Sequence, residues 1–392
     1  MALKTRGYKA RTLAAGAGLA IMLALSGCGA FFQCEGKTSC GTGTTTGIGD
    51  YVYVSNSVTG STYLDGFQVS SGSLVTATGS PYSLGYVPTT MVITPSDKYL
   101  YIGNGSSPGN IYGYSLGTGG AITILNSGNG LVQENSAALD ISPDGQWLFS
   151  LNTNGLTLEE YQISSTTGLL TYVNNYTLTG AVNATIAPLS VKVAPSGDFV
   201  VCVLGQGGAD IFSLTTSTGA LGLTLGTNFN RLTPPNLTSG IYAVAIDANN
   251  NIYTSATAGL EVFSASTLGA PSAAPISLTS PAGSGPGYSL VLDGTSYVYA
   301  ASENASSSAV IYGFVVSSSN PLAPVSGSPN NAPVGVGAIG RDSSGDYLVA
   351  AGYNATSGIQ LFSIGSGGAL SSIGSQASGI TTSVPVVMAL TH

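Results

Sequence analysis

Charged side chains are scarce in this chain of 392 residues: they make up 7% of it, and its single histidine, His392, is the last residue. Histidine is the side chain whose ordinary pKa best suits general-base catalysis near neutral pH, and it is the commonest metal ligand. The body of the protein therefore offers no histidine-activated nucleophile. No Cys/His zinc spacing, phosphate loop or dinucleotide fingerprint occurs either, so we expect no metal and no cofactor.

Residues that favour helices are also rare. Gly, Ser, Thr and Asn are abundant, with 55 glycines, whereas Glu, Lys and Gln are few. No window keeps a 3.6-residue apolar period, and Gly or Pro interrupts nearly every candidate helix. The composition therefore predicts an all-β protein.

The N-terminus resembles a bacterial export signal. Lys4, Arg6, Lys9 and Arg11 precede an apolar stretch over 13–25, which is shorter than the roughly 20 residues of a membrane-spanning helix. The stretch ends in Leu25-Ser26-Gly27-Cys28, which resembles a lipobox. We predict a signal peptide over 1–27 and acylation of Cys28. An uncleaved apolar N-terminus and an export signal without lipid remain alternatives.

The segment 28–49 is rich in Gly, Thr and Ser and has no strand pattern, so we interpret it as a flexible tether before a domain over 50–392. The lipid would anchor the protein to a membrane of the bacterial cell envelope, facing the periplasm or the cell surface. Removal of the leader leaves five basic against seventeen acidic side chains, 5 − 17 = −12. Such a surface repels polyphosphates, so a nucleic-acid partner is not expected.

Few cysteines are present, and they suggest different roles. Cys34 and Cys40 flank a short polar loop in the tether, where they could form a disulfide in an oxidising compartment or stay reduced. Cys202 stands alone within a predicted strand. A lone cysteine in such a place usually packs as a small apolar residue, and we expect this of Cys202.

A short apolar segment that ends in an aromatic residue occurs seven times, at intervals of 47 to 51 residues. A fixed period of this length is typical of repeat architectures. A turn follows each aromatic, often Gly-x-Leu as in Gly168 to Leu170. The recurring aromatics are Phe67, Tyr114, Tyr161, Phe212, Phe263, Phe314 and Phe362.

Each repeat contains four predicted strands. An apolar run such as 90–93 leads into a tight turn rich in Pro, Asp and Gly, as at 95–98. A second strand follows with aromatic or β-branched residues at alternate positions, as in Tyr99 and Tyr101. The third strand carries the recurring aromatic, and the Gly-x-Leu turn opens a fourth. Four antiparallel strands joined in this way form one blade of a β-propeller.

The two ends of the domain complement each other. It starts at a second strand, over 51–55, and ends at a first strand, over 386–390. The C-terminal strand would therefore complete the N-terminal blade, which gives seven complete blades. This closure removes two exposed sheet edges.

Two sequence segments resemble those of a known family. Tyr51-Val52-Tyr53-Val54-Ser55-Asn56 and the turn and strand over 142–149 are similar to the repeats of YVTN-type and 6-phosphogluconolactonase-like seven-bladed β-propellers. The resemblance covers about 50–392. It implies a seven-bladed β-propeller with four-stranded antiparallel blades, and it raises the hypothesis of lactone hydrolysis.

One departure from the family weakens that hypothesis. In the family's lactonases a basic pair containing histidine precedes an early inner strand, and glutamate and arginine join it at the channel mouth. The corresponding stretch here is Gln133-Glu134-Asn135-Ser136-Ala137-Ala138. A lactonase would need a histidine-free site.

Ligand sites of propellers usually lie where the loops after the second and fourth strands meet. Amides and a few charged or aromatic side chains occupy these loops, and such groups could bind a sugar or another polar metabolite. Arg231, in a long loop over 227–240, is the best single candidate for binding an anion. The candidate binding residues are Arg231, Glu303, Glu134, Asn56, Asn104, Asn152 and Tyr353.

Two functional hypotheses remain. The first is a non-catalytic, lipid-anchored propeller that binds an envelope protein, a glycan or a small polar ligand. The second is a lactonase-like hydrolase without histidine. We expect a monomer in both cases.

Overall fold

The computed structural model describes residues 50–58, 61–105, 107–181, 183–222, 231–232, 240–257, 259–263, 289–294, 296–302, 309–316, 322–333, 335–352, 358–377 and 386–392. The helical structure in these ranges is limited to two 3-10 turns, Thr118–Gly120 and Asn126–Gly128. Within them no helix has the length and apolar character needed to cross a membrane.

Within the described residues thirty strands form seven sheets, which we number as blades in chain order. Blade 1 contains β1 (Tyr51–Val58), β2 (Ser61–Ser70) and β3 (Ser73–Thr76), with β4 (Tyr82–Ser83) beside β2. Blade 2 contains β5 (Thr90–Ile93), β6 (Tyr99–Asn104), β7 (Asn110–Leu116) and β8 (Ile122–Ile124). Blade 3 contains β9 (Ser136–Ile141), β10 (Trp147–Asn152), β11 (Thr157–Ile163) and β12 (Leu170–Thr177).

The remaining blades follow the same order. Blade 4 contains β13 (Ser190–Val193), β14 (Phe199–Val203), β15 (Ala209–Leu214) and β16 (Leu221–Gly222), with β17 (Arg231–Leu232) beside β15. Blade 5 contains β18 (Ile241–Ile246), β19 (Ile252–Ala256) and β20 (Gly259–Phe263). Blade 6 contains β21 (Ser289–Asp293), β22 (Tyr297–Ser302), β23 (Ala309–Val315) and β24 (Ala323–Pro324), with β25 (Asn330–Ala332) beside β23. Blade 7 contains β26 (Ala338–Arg341), β27 (Tyr347–Ala351), β28 (Ile359–Ile364) and β29 (Leu370–Gln376), and β30 (Met388–Leu390) follows.

The protein is a seven-bladed β-propeller with four antiparallel strands per blade, as the sequence predicts. Blade 5 has three of its strands within the described residues. The first strands of neighbouring blades contact one another around a ring, so they surround the centre. The second strands are almost wholly buried, as in β14, and an outer strand such as β12 is mostly exposed.

The ring closes between the two ends of the domain, which confirms the predicted clasp. β30 pairs antiparallel with β1, with Tyr53 opposite Ala389. Beyond the strand, Thr391 N donates to the Tyr51 carbonyl at 2.9 Å, and Tyr51 N donates to Thr391 Oγ1 at 2.8 Å. The C-terminal strand is thus the first strand of blade 1.

The recurring aromatics lie on the seven third strands, and all of them are buried. They pack within the apolar clusters between neighbouring blades, as Tyr161 does with Tyr101 and Leu148. Cys202 on β14 is fully buried among apolar side chains, as expected. The aromatic residues that recur along the sequence are therefore those that pack one blade against the next.

A second contact between blades explains the alternating aromatics and the glycine turns. The hydroxyl group of Tyr101 on β6 donates a hydrogen bond of 2.9 Å to the carbonyl of Gly168, in the turn between the third and fourth strands of blade 3. The ring of Tyr99 packs closely against Gly168. A Cβ at position 168 would lie only 2.6 Å from this ring. Equivalent inter-blade bonds join Tyr53 to Gly120, Trp147 to Thr216 and Tyr299 to Gly368.

The propeller has two faces of different construction. The turn face carries the tight turns that link first to second and third to fourth strands. The loop face carries the connections from second to third strands and from each fourth strand to the next blade. Residues of the loop face form the candidate site.

Candidate functional site

A cavity of about 670 Å³ opens on the loop face, where blades 3, 4 and 5 meet. We call it the mouth cleft. Three chain segments form it: the part of the β12–β13 connection over 185–189, the turn 204–208 from β14 to β15, and the start of β18. Its lining residues are Thr185, Ala187, Leu189, Gly205, Gln206 and Tyr242.

Backbone hydrogen bonds hold the cleft in place. Leu204 N donates to the Gly208 carbonyl at 2.8 Å, which closes the turn that presents Gln206. Gly205 has a φ of 59°, a left-handed conformation that glycine adopts without strain. Its carbonyl accepts from Ile241 N at 3.0 Å, which fixes the turn against β18. The walls of the cleft are therefore preformed.

The described lining residues carry no charge. Thr185 and Gln206 are exposed and offer hydroxyl and amide groups, and the half-buried Tyr242 offers an aromatic ring. The Tyr242 hydroxyl lies 3.3 Å from Thr257 Oγ1. Leu189 is 41% exposed and adds an apolar wall. These groups can hold an uncharged ligand by hydrogen bonds and ring contact, and the described lining contains no carboxyl, imidazole or amino group.

Glu134 lies elsewhere on the loop face, between blades 2 and 3, and is only 4% exposed. Its carboxyl accepts hydrogen bonds from Ser150 Oγ at 3.2 Å, Asn152 Nδ2 at 3.0 Å and Tyr161 OH at 3.4 Å. Burial, reinforced by the charge of Glu159, raises the pKa of Glu134 to about 7. A carboxyl group with this pKa exchanges protons at neutral pH.

The predicted asparagines do not form a ring around the cleft. Asn152 binds Glu134, and Asn56 donates to Asp65 Oδ2 at 2.6 Å, between strands of blade 1. Asn104 ends β6 and is buried. None of these three asparagines belongs to the described lining of the mouth cleft, and their role in ligand binding stays a prediction.

Arg231 differs from its predicted setting. It forms the two-residue strand β17, with its backbone opposite Asp210 on β15, rather than lying in an open loop. A strand of two residues is too short to leave an alternating pattern in the sequence. Five further predicted residues lie outside the described part of the chain: Glu303, Tyr353, Cys28, Cys34 and Cys40. Among the described residues, no group of three metal-ligating side chains occurs.

Sequence reasoning missed a recurrent acidic position. Two residues before the recurring aromatic, four of the third strands carry a carboxylate, and all four are buried. A repeat alignment around the aromatics contains this signal. The four residues are Asp65, Glu159, Asp210 and Glu261.

It also missed the mouth cleft. The run Gly205-Gln206-Gly207-Gly208 marks a close backbone approach, which is the kind of signal that could have indicated this part of the site.

The comparisons with solved structures match this architecture. A provisionally assigned 6-phosphogluconolactonase from Bacteroides fragilis superposes with a TM-score of 0.67 at 16% identity, over 89% of this chain and 99% of that one. The structural neighbours of this chain are 6-phosphogluconolactonase-like seven-bladed propellers. The propeller also matches a similarly assigned protein from Bacteroides uniformis, with a TM-score of 0.65 at 15% identity over 87% of this chain and 99% of that one.

A third match is the periplasmic gluconolactonase of Pseudomonas aeruginosa, with a TM-score of 0.62 at 15% identity, over 86% of this chain and 99% of that one. No family model and no curated protein sequence matches the propeller. At this level of identity the likeness establishes the fold, and function depends on the site itself.

Proposed function

We propose that the propeller is a non-catalytic binding module that takes a small, uncharged, polar ligand of the sugar type in the mouth cleft. The observation that carries this proposal is the lining of the cleft: described hydroxyl, amide, aromatic and aliphatic groups without a charged side chain. Its volume of about 670 Å³ lies within the range of about 300–1,000 Å³ typical of small-molecule sites.

The chemistry of a pyranose ring suits these walls. One face of such a ring carries C–H groups, which pack on aromatic and aliphatic surfaces such as Tyr242 and Leu189. Its hydroxyl groups donate to and accept from amide and hydroxyl groups such as those of Gln206 and Thr185. A phosphorylated or carboxylated ligand would find no described cation in this lining.

Binding to the cleft is expected to weaken when Gln206 is replaced. Isothermal titration calorimetry of the purified protein with glucose, galactose, maltose and cellobiose should detect at least one ligand. Gln206→Ala should reduce its affinity about 3- to 10-fold, because one hydrogen bond contributes about 0.5–1.5 kcal/mol. Gln162→Ala, at an exposed position on β11, is the matched control. Equal affinity of both variants would place the ligand elsewhere.

Lactone hydrolysis is the second candidate, favoured by the pKa of about 7 at Glu134 and by the named activity of the Pseudomonas aeruginosa match. The 4% exposure of Glu134 argues against it, because a general base must reach its substrate. We expect no hydrolysis of 6-phosphogluconolactone or simple lactones above background. Turnover that disappears in Glu134→Gln, Arg231→Ala or Glu303→Ala would establish the enzyme instead.

We further propose that the protein is lipid-anchored in the cell envelope through Cys28, where it would bind a glycan, a protein or a small molecule. The sequence from the basic head to Cys28 supports this location. Cys28→Ser should move the protein from the detergent-soluble membrane fraction to the soluble fraction. An unmodified N-terminus at another residue, found by mass spectrometry of native protein, would contradict the anchor.

A further inference from the structure

Glu134 and Glu159 form a pair of buried carboxyl groups on the loop face, close enough for their charges to repel. Glu159 accepts a hydrogen bond from Thr157 Oγ1 at 2.6 Å. The partners of Glu134 are a serine, an asparagine and a tyrosine. Two carboxylates therefore share one buried region in which the described partners supply only uncharged donors.

The titratable side chains described around Glu134 lie on the two outer strands of blade 3, β11 and β12. β11 contributes Glu159 and Tyr161, and β12 contributes Tyr172, which packs edge-on against Tyr161. β10 contributes only Ser150 and Asn152. Burial and the two glutamates raise the pKa of Tyr161, so it stays neutral. None of the ion pairs between described residues includes either glutamate.

The backbone at Glu134 joins two blades. Glu134 N donates to the Gly109 carbonyl at 3.1 Å, and Gly109 N donates to Asn135 Oδ1 at 2.5 Å. On the other side, Thr153 N donates to the Asn135 carbonyl at 3.1 Å. The segment 134–135 thus ties the loop before β7 in blade 2 to the loop before β11 in blade 3.

We propose that Glu134 and Glu159 are a proton-responsive latch: one bound proton keeps the loops of blades 2 and 3 joined, and loss of that proton loosens them. The protonated pair carries one negative charge, whereas the ionised pair carries two with no described cation beside them. Like charges in a buried region cost free energy, and local opening relieves it by admitting water.

The sign of the pH effect follows from proton linkage. The folded-state pKa of Glu134, about 7, exceeds the ordinary value of 4.5. Between these two values the folded protein holds a proton that the unfolded chain has lost, so the free energy of unfolding falls as pH rises through this window. Above pH 7 the carboxyl group of Glu134 is ionised in the folded protein, and the latch is open.

Hydrogen exchange of the amides of Gly109, Glu134 and Thr153 tests the latch. After correction for the intrinsic pH dependence of exchange, their protection should fall about tenfold between pH 6 and pH 8.5, since pH 6 lies one unit below the pKa of Glu134 and each unit corresponds to a factor of ten. Glu134→Gln keeps a neutral side chain of similar shape. It should hold the same amides protected at both pH values.

Two further variants complete the experiment. Glu159→Gln removes the neighbouring charge, so the midpoint of the transition should move to lower pH. Glu261→Gln, at the equivalent of the Glu159 position in blade 5, should leave the pH dependence at these amides unchanged. Infrared titration should detect a protonated carboxyl band that disappears near pH 7 in the native protein and is absent in Glu134→Gln. Unaltered pH dependence in Glu134→Gln, or an unshifted midpoint in Glu159→Gln, would overturn the proposal.

Discussion

Deletion of residues 386–392 is expected to abolish the stable propeller. It removes β30 together with the bonds between Thr391 and Tyr51 and between Val387 and Ser55. Val386 and Ala389, both buried, leave the apolar clusters beside blade 1. The inner edge of β1 becomes an unpaired strand edge, which pairs readily with other chains.

Circular dichroism and size-exclusion chromatography would measure this outcome. The truncated chain should lose its cooperative thermal transition and elute as aggregates. Deletion of His392 alone is the control, because the hydrogen bonds described for this exposed residue are both with Asp97. That variant should keep its melting temperature within a few degrees. A chain that lacks 386–392 yet melts at the native temperature would refute the clasp.

Gly168→Ala is expected to lower the free energy of unfolding by about 3 kcal/mol. Gly168 has a φ of 69°, and a residue with a side chain in this conformation costs about 1–2 kcal/mol. A Cβ would in addition come within 2.6 Å of Tyr99 and 2.9 Å of Leu125. Relief of such crowding shifts neighbouring side chains, at a cost of about 1–3 kcal/mol.

Gly128→Ala separates the two costs. Gly128 has a φ of 85°, but a Cβ there meets no atom within 4 Å. This variant should lose only the conformational part, about 1–2 kcal/mol. Denaturant unfolding monitored by Trp147 fluorescence compares the two proteins. Equal losses in both variants would show that crowding of the added Cβ against Tyr99 and Leu125 costs nothing.

The propeller could be predicted because its determinants are local and repeated. Turns such as 95–98 and the alternation of Tyr99 and Tyr101 specify strands directly. The seven recurring aromatics predict seven blades. The domain begins at a second strand and ends at a first strand, which predicts that the two ends pair. The inter-blade bond from Tyr101 to Gly168 was not predicted, because it joins two repeats whose relative position the pattern does not contain.

The site was harder to predict than the fold. Glu134 was singled out from the sequence by its loop alone. Its burial and its neighbour Glu159 depend on how two blades pack, and a single sequence does not reveal that packing. The short strands β4, β17 and β25 were missed for another reason. Each has two or three residues, too few for a period to appear.

The clasp also determines how the molecule can be attached to anything else. Asp50 and His392 both lie on the turn face, where Asp50 accepts a hydrogen bond from Ser343 and His392 binds Asp97. The mouth cleft opens on the opposite face. A fusion partner or a solid support joined to either end of the domain would therefore lie on the side away from the cleft.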